Sequence, residues 1–183
     1  PAIPDWTRSD PDVTAHASRT GSDGEEDADL ALDDVDRQIL AALLADGRAS
    51  ASDLSAVAGV ATATATKRRQ RLEDAGVIEG YRPVVDFAAL GYDVTAVFRL
   101  DVVGDGIPPV LADLRATGRM VGVYEVTGDA DVVAVGKFAD TAELDAQIKT
   151  LLTHPHVRGV STNIVLDIVT EDAPLPVADA ESG

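Results

Sequence analysis

Ala61-Thr62-Ala63-Thr64-Ala65-Thr66-Lys67-Arg68-Arg69-Gln70-Arg71-Leu72-Glu73-Asp74-Ala75-Gly76 decides how the first half of this 183-residue chain folds. Its opening six residues alternate with period two and admit a strand. Alanines make a poor strand face, however, and the good helix formers from Lys67 to Glu73 follow with no breaker between. We read the stretch as one helix, from about residue 62 to 75, closed by Gly76. Ala65 and Leu72, about two turns apart, align on its inner side. Ala63, Thr66, Lys67 and Gln70 then point outward, with Thr64 and Arg71 on the flanks. Arg68 and Arg69 lie beside the inward stripe, where each can lay its stem on the core and surface its head.

Working back from this helix, Gly59-Val60 is a tight turn. A shorter helix beginning after Ser52 is expected to turn Leu54, Val57 and Ala58 inward. Before it, Leu32, Val35, Ile39, Leu40 and Leu43 recur at helical spacing, with Asp33 or Asp34 as N-cap, ending near Gly47. Helix, short helix, glycine turn and basic helix together make the helix-turn-helix pattern. Residues 30–82 are assigned to this domain. Residues 1–29 show no apolar periodicity, hold Trp6 and an acidic run, and read as a disordered acidic tail.

Working forward, Val77-Ile78-Glu79-Gly80-Tyr81, Pro83 and Val84-Val85 suggest an extended wing or connector, with residues 83–92 as linker. Val94, Ala96, Phe98, Leu100 and Val102 then alternate with Asp93, Thr95, Arg99 and Asp101, as in a half-buried strand. Pro108-Pro109 opens a helix closing at Gly118. Strands over 120–126 and 131–138 flank the turn Thr127-Gly128-Asp129-Ala130. Asp140 and Glu143 form a capping pair for a further helix, and residues 157–169 make the last strand. The order βαββαβ over residues 93–169 is the ferredoxin-like plan. The fold class is therefore α+β: an N-terminal, winged-helix-like helix-turn-helix, then a ferredoxin-like domain. Residues 170–183 form a second acidic tail. Two helices cover one sheet face, so Phe98, Leu100 and Val102 suggest an apolar row on the other that a second copy would hide. A homodimer or a multiple of it is expected.

The net charge of −17 looks unsuited to a nucleic-acid partner, but its distribution matters more. Residues 1–31 carry −6, residues 32–92 only −2 and residues 93–183 −9. The middle segment concentrates Lys67, Arg68, Arg69 and Arg71. The outward set of its third helix is small at the leading turn and polar or cationic beyond, as entry into a major groove requires. Gln70 suits an adenine edge, and Lys67 and Arg71 suit phosphate or guanine. Thr62 or Thr64 can donate to phosphate, and Arg68 is a further phosphate candidate. The Asp-rich, Lys-poor acidity is that of a salt-adapted source. With no cysteine there is no disulfide or thiolate site. No apolar run or leader suggests a membrane, so a cytoplasmic protein is expected.

Several motifs arrive in a specific order. Leu32-Asp33-Asp34-Val35-Asp36-Arg37-Gln38-Ile39-Leu40, with Asp46-Gly47-Arg48 after it, resembles the opening of the Lrp/AsnC (feast/famine) regulators. Leu72-Glu73-Asp74-Ala75-Gly76-Val77-Ile78-Glu79-Gly80-Tyr81 resembles the end of that family's recognition helix and the turn beyond. Val126-Thr127-Gly128-Asp129-Ala130-Asp131 is similar to its effector-domain hairpin, and Thr162-Asn163-Ile164-Val165-Leu166 to its final strand. The resemblance implies a sequence-specific transcriptional regulator binding double-stranded DNA, dimers formed through the ferredoxin-like domain, and a small-molecule effector such as an amino acid. By position it places Thr127, Gly128, Asp129 and Asp131 at or near the effector. Two residues depart from the pattern. Arg69 stands at a usually apolar place, and Ala61 where a capping Ser is common.

Other chemistry is weaker. Asp129 and Asp131 supply too few ligands for a calcium loop, and His154-Pro155-His156 reads as a loop rather than a metal site. Gly104-Asp105-Gly106 lacks the length and lysine of a phosphate loop. No nucleophile, base and orienter set stands out, and no cofactor or catalytic residue is expected. Two alternatives remain: a decarboxylase of haem biosynthesis with this two-domain architecture, and an effector-binding assembly protein without DNA binding. The first needs a tetrapyrrole pocket with His or Arg partners, in which the second half is poor. The cationic helix argues against both.

Overall fold

The computed structural model describes residues 31–171 and 173–177, so the N-terminal tail with Trp6 lies outside the described residues. The chain divides into two compact units that part between Val84 and Val85.

The first unit holds three helices: α1 (Asp34–Ala45), α2 (Ala51–Ala58) and α3 (Thr62–Asp74). Helix α1 starts where Asp33 and Asp36 build a reciprocal capping box, which satisfies two amides that the first turn leaves free. Ser50 and Asp53 repeat the device on α2, so that helix begins before Ser52 rather than after it. Its buried seam is Leu54 and Ala58. Val57, expected inward, is exposed, because a two-turn helix meets its neighbours along a single i, i+4 row. Gly59 then turns the chain at φ 63, a left-handed conformation open to glycine at little cost. Ile39, Leu54, Ala58, Ala65 and Leu72 form the buried core. The Ala-Thr alternation is helical from Thr62 onward, with Ala61 as its extended N-cap. Residues 75–93 contain no strand. The expected wing or connector is therefore a connector, and it includes a 3-10 turn at Ala88–Leu90.

The second unit runs β1 (Val94–Val102), α4 (Ile107–Ala116), β2 (Met120–Glu125), β3 (Val132–Phe138), α5 (Thr141–Leu152) and β4 (Val157–Ile164). The four strands form one sheet in the order β2-β3-β1-β4, with every neighbouring pair antiparallel. That is the ferredoxin-like topology. Strand β1 is central, and its apolar row Ala96, Phe98, Leu100 and Val102 is buried with Val110 and Leu114 of α4 and Leu144 and Leu151 of α5. Phe98 and Phe138 meet edge to face, with centroids 5.8 Å apart. Full burial of one such side chain contributes about 1.5–3 kcal/mol.

This corrects the placement of Phe98, Leu100 and Val102. They belong to the helix-side core, because the longest apolar row of a sheet goes where the most surface is removed from water. The uncovered face carries the other register: Thr95, Val97, Arg99 and Asp101 on β1, with Val133 and Val135 beside them on β3 and Tyr124 across on β2. The last strand also stops at Ile164, short of residue 169. Antiparallel β4 runs out of partner there, since its last rung is the Val165 amide donating to the Thr95 carbonyl (2.9 Å).

Asp140 caps α5 by accepting from the Glu143 amide. Glu143 reaches back one residue further, accepting from the Ala139 amide at 2.7 Å, and also holds Arg119 at 2.5 Å. Arg119 stacks on Tyr92, Lys137 lies over Phe87, and the two rings meet edge to face. The aromatic end of the connector is thereby fastened to the sheet domain. Among the described residues no helix is long and apolar enough to cross a membrane.

Candidate DNA interface and ligand site

Helix α3 buries Ala65 and Leu72 completely. Ala63, Thr66, Lys67 and Gln70 are exposed and, with Arg71 and Asp74, line a shallow groove along the helix. The outward set read from helical periodicity thus shares one surface. Thr62 and Thr64 are exposed in the first turn. Thr66 donates its hydroxyl to the Thr62 carbonyl, and Thr62 donates to the Ser55 hydroxyl at 3.4 Å. Gln70 donates to Asp74 (2.9 Å), which holds its amide out along the groove. Ala61 is the N-cap and offers no side-chain acceptor.

The cations are less free than the sequence suggests. Arg68 turns toward α1 and donates to Asp33 Oδ2 (2.6 Å) and to both carboxylate oxygens of Asp36 (3.2 and 3.1 Å). Asp33 pushes the Arg68 guanidinium above its ordinary value. The Asp36 amide, and then Arg68, hold the Asp33 carboxyl below its own. Arg71 reaches Asp36 Oδ2 at 3.5 Å and the Ala31 carbonyl at 3.4 Å. Asp36 itself is fully buried. Arg69 sits 3.4 Å from Glu73, a contact of charges rather than an aligned hydrogen bond. Glu73 accepts from the Tyr81 hydroxyl at 2.7 Å. Burial, then that bond, push the hydroxyl above its usual value. Arg69 is therefore core-flanking. Lys67 makes no ion pair among the described residues.

In the second unit a smaller groove opens beside the β2–β3 turn, lined by Arg99 and Asp101 of β1, Asp129 of the turn and Gly159 and Ser161 of β4. Of the four turn residues singled out from the sequence, only Asp129 lines it. Thr127 and Gly128 are exposed at the tip, where Gly128 takes φ 119. Asp131 is engaged elsewhere, its Oδ2 accepting from the Val102 amide at 2.7 Å. Arg99, Asp101 and Ser161 line the groove but were not among the residues singled out from the sequence. The alternation of β1 marked the first two as its polar face, but only the β1–β4 register brings Ser161 opposite Arg99. Among the described residues no cluster of three or more His, Cys, Asp or Glu is placed to hold a metal. His154 Nε2 instead lies 3.2 Å from an Asp113 carboxylate oxygen.

A three-helix unit with an exposed, polar third helix, followed by a ferredoxin-like domain, defines a DNA-binding regulator with a separate ligand-binding module. Residues 32–79 match a winged helix-turn-helix DNA-binding family, and residues 95–175 match the Lrp/AsnC ligand binding domain. The chain is 34% identical over 146 residues to the HTH-type transcriptional regulator FL11 of Pyrococcus furiosus, an alignment covering 80% of this chain and 97% of that protein. Escherichia coli AsnC superimposes with a TM-score of 0.71 at 26% identity, over 77% of this chain and 96% of that one. The Neisseria meningitidis regulator NMB0573, solved with L-Met, gives 0.75 at 24% identity over 80% and 97%, a likeness of fold. The chain belongs to the Lrp/AsnC family. It is a DNA-binding transcriptional regulator whose second domain responds to a small molecule.

Proposed function

We propose that α3 enters the major groove of double-stranded DNA. Ala63 lets the leading turn approach, Gln70 faces base edges, and Lys67 takes phosphate or guanine. Thr62, Thr64 and Thr66 stand near the backbone, with Arg71 at the edge of the same surface. The observation that carries this is the shared exposure of Ala63, Thr66, Lys67 and Gln70 over a helix whose other side is core. Lys67→Ala is expected to weaken binding and lower the slope of log affinity against log salt by about one unit for each α3 helix bound, with unfolding unchanged. Unchanged affinity and slope would remove α3 as the reading element.

The groove beside the β2–β3 turn suits a zwitterion such as an amino acid. Arg99, which makes no ion pair among the described residues, is placed to hold a carboxylate, and Asp129 an ammonium group. The L-Met carried by NMB0573 accords with that ligand class. Titrating the protein with each amino acid, by calorimetry, tests the reading in the wild type and in Arg99→Gln. The uncovered sheet face supports a homodimer, with Val97, Val133, Val135 and Tyr124 as its apolar part. Two α3 helices would then meet a near-palindromic site. A role as a haem-pathway decarboxylase is disfavoured by this family membership, and absorbance of a bound tetrapyrrole in the purified protein would reinstate it.

A further inference from the structure

Arg68 and Arg71 meet the same buried carboxylate on unequal terms. Arg68 touches both oxygens of Asp36 and also Asp33. Arg71 has only contacts of 3.4 and 3.5 Å, at the outer limit of a hydrogen bond. Arg71 is also the more exposed, 40% of its side chain against 29% for Arg68, and it alone of the two lines the groove with Ala63, Lys67 and Gln70. Asp36 has no access to water, so it resists losing all its counter-charge. When Arg71 departs, Arg68 and the Asp33 amide still hold Asp36.

We propose that Arg68 is a positioning residue for DNA binding: by keeping buried Asp36 compensated, it frees Arg71 to leave that carboxylate and take a DNA phosphate. The proposal rests on the reading that the α3 groove meets DNA. Without Arg68, Arg71 is the remaining cation placed on Asp36 among the described residues and is retained there. Loss of Arg68 therefore costs a phosphate contact made by a different residue.

The test uses the full chain and one duplex, enriched from a random-sequence pool by the wild-type protein. Affinity is measured from about 50 to 200 mM salt, over which one phosphate contact accounts for roughly a 3- to 4-fold change. Arg71→Gln is expected to lower the salt slope by about one unit for each α3 helix bound, Arg68→Gln by the same amount, and the double variant by no more than either. Arg68→Gln combined with Asp36→Asn should regain the slope, because a neutral amide no longer retains Arg71. Slope losses that add to about two units for each α3 helix bound in the double variant would make Arg68 itself a phosphate contact and overturn the proposal. So would an Arg68→Gln protein that loses thermal stability but keeps the wild-type slope. Should Arg68→Gln fail to fold, Asp36→Asn alone decides: a slope at or above wild type supports the release of Arg71, and a slope lower by one unit refutes it. An unchanged slope in Arg71→Gln, with Lys67→Ala still lowering it, sinks this proposal and leaves the groove reading standing. If neither variant changes the slope, the groove reading falls with it.

Discussion

Asp129 and Asp131 stand two residues apart in one turn, yet their environments assign them different work. Asp131 uses three groups at once. Its carboxylate accepts from the Val102 amide (2.7 Å), its amide donates to the Leu100 carbonyl (2.9 Å), and its carbonyl accepts from the Val126 amide (3.0 Å). It buckles the end of β1 to the hairpin. Asp131→Ala removes the only charged acceptor among these and leaves the amide of a buried residue without it. A hydrogen bond to a charged group contributes about 1.5–3 kcal/mol. At about 4–8 °C per kcal/mol in a domain of this size, the melting temperature of the second unit should fall by roughly 6–24 °C. Asp131→Asn retains an oxygen without the charge and should lose about half as much. Asp129→Ala, at an exposed position, should stay within about 0.5 kcal/mol of wild type. Thermal and urea unfolding followed by circular dichroism measure these changes, and amide exchange at Val102 reports the bond itself. A stable Asp131→Ala protein with Val102 still protected would refute the structural assignment of that carboxylate.

Two other outcomes are expected. Val135→Lys, on the uncovered sheet face, should leave the second unit folded but shift the protein toward monomer in light scattering; an unchanged mass would place the assembly surface elsewhere. The Asp33 carboxyl sits below its ordinary value of 3.8, so its stabilisation is full above that value and disappears as pH falls through the lower folded one. Asp33→Asn, which keeps the cap, should remove that part of the acid sensitivity of the helical unit. Parallel acid losses in both proteins would show that the carboxylate contributes nothing there.

The helices and strands were legible because local rules agreed with the global ones. Asp33 and Asp140 cap where the apolar periodicity begins, and β1 alternates cleanly enough to fix its register, whereas the Ser50 cap lies ahead of the start expected after Ser52. The uncovered sheet face was harder. Strand β3 reads Val132-Val133-Ala134-Val135, apolar on both sides, so alternation could not show that Val133 and Val135 supply what Phe98 does not. On α3 a helical wheel ranked Lys67 and Gln70 correctly as outward, but could not show that Arg68 and Arg71 meet a carboxylate on α1, far away in sequence. Pairing between elements is a tertiary fact. The same limit hid the place of Ser161 opposite Arg99 and the bond from the Val102 amide to Asp131. The strong acidity invited a salt-adapted origin, which the similar proteins do not support.

The pairing of cations on α3 also bears on how the regulator is shared out over a chromosome. Arg68 is spoken for by Asp33 and Asp36, Arg69 by Glu73, and Asp74 stands at the groove's end. Random duplex offers phosphates but no matched bases, so its hold on a protein grows with the number of unpaired cations at the contact. With few such cations on α3, the proposed contact, the many competing sites of a genome would sequester less of the protein. On that reading a larger fraction would stay in solution, where an effector can reach it before an operator does.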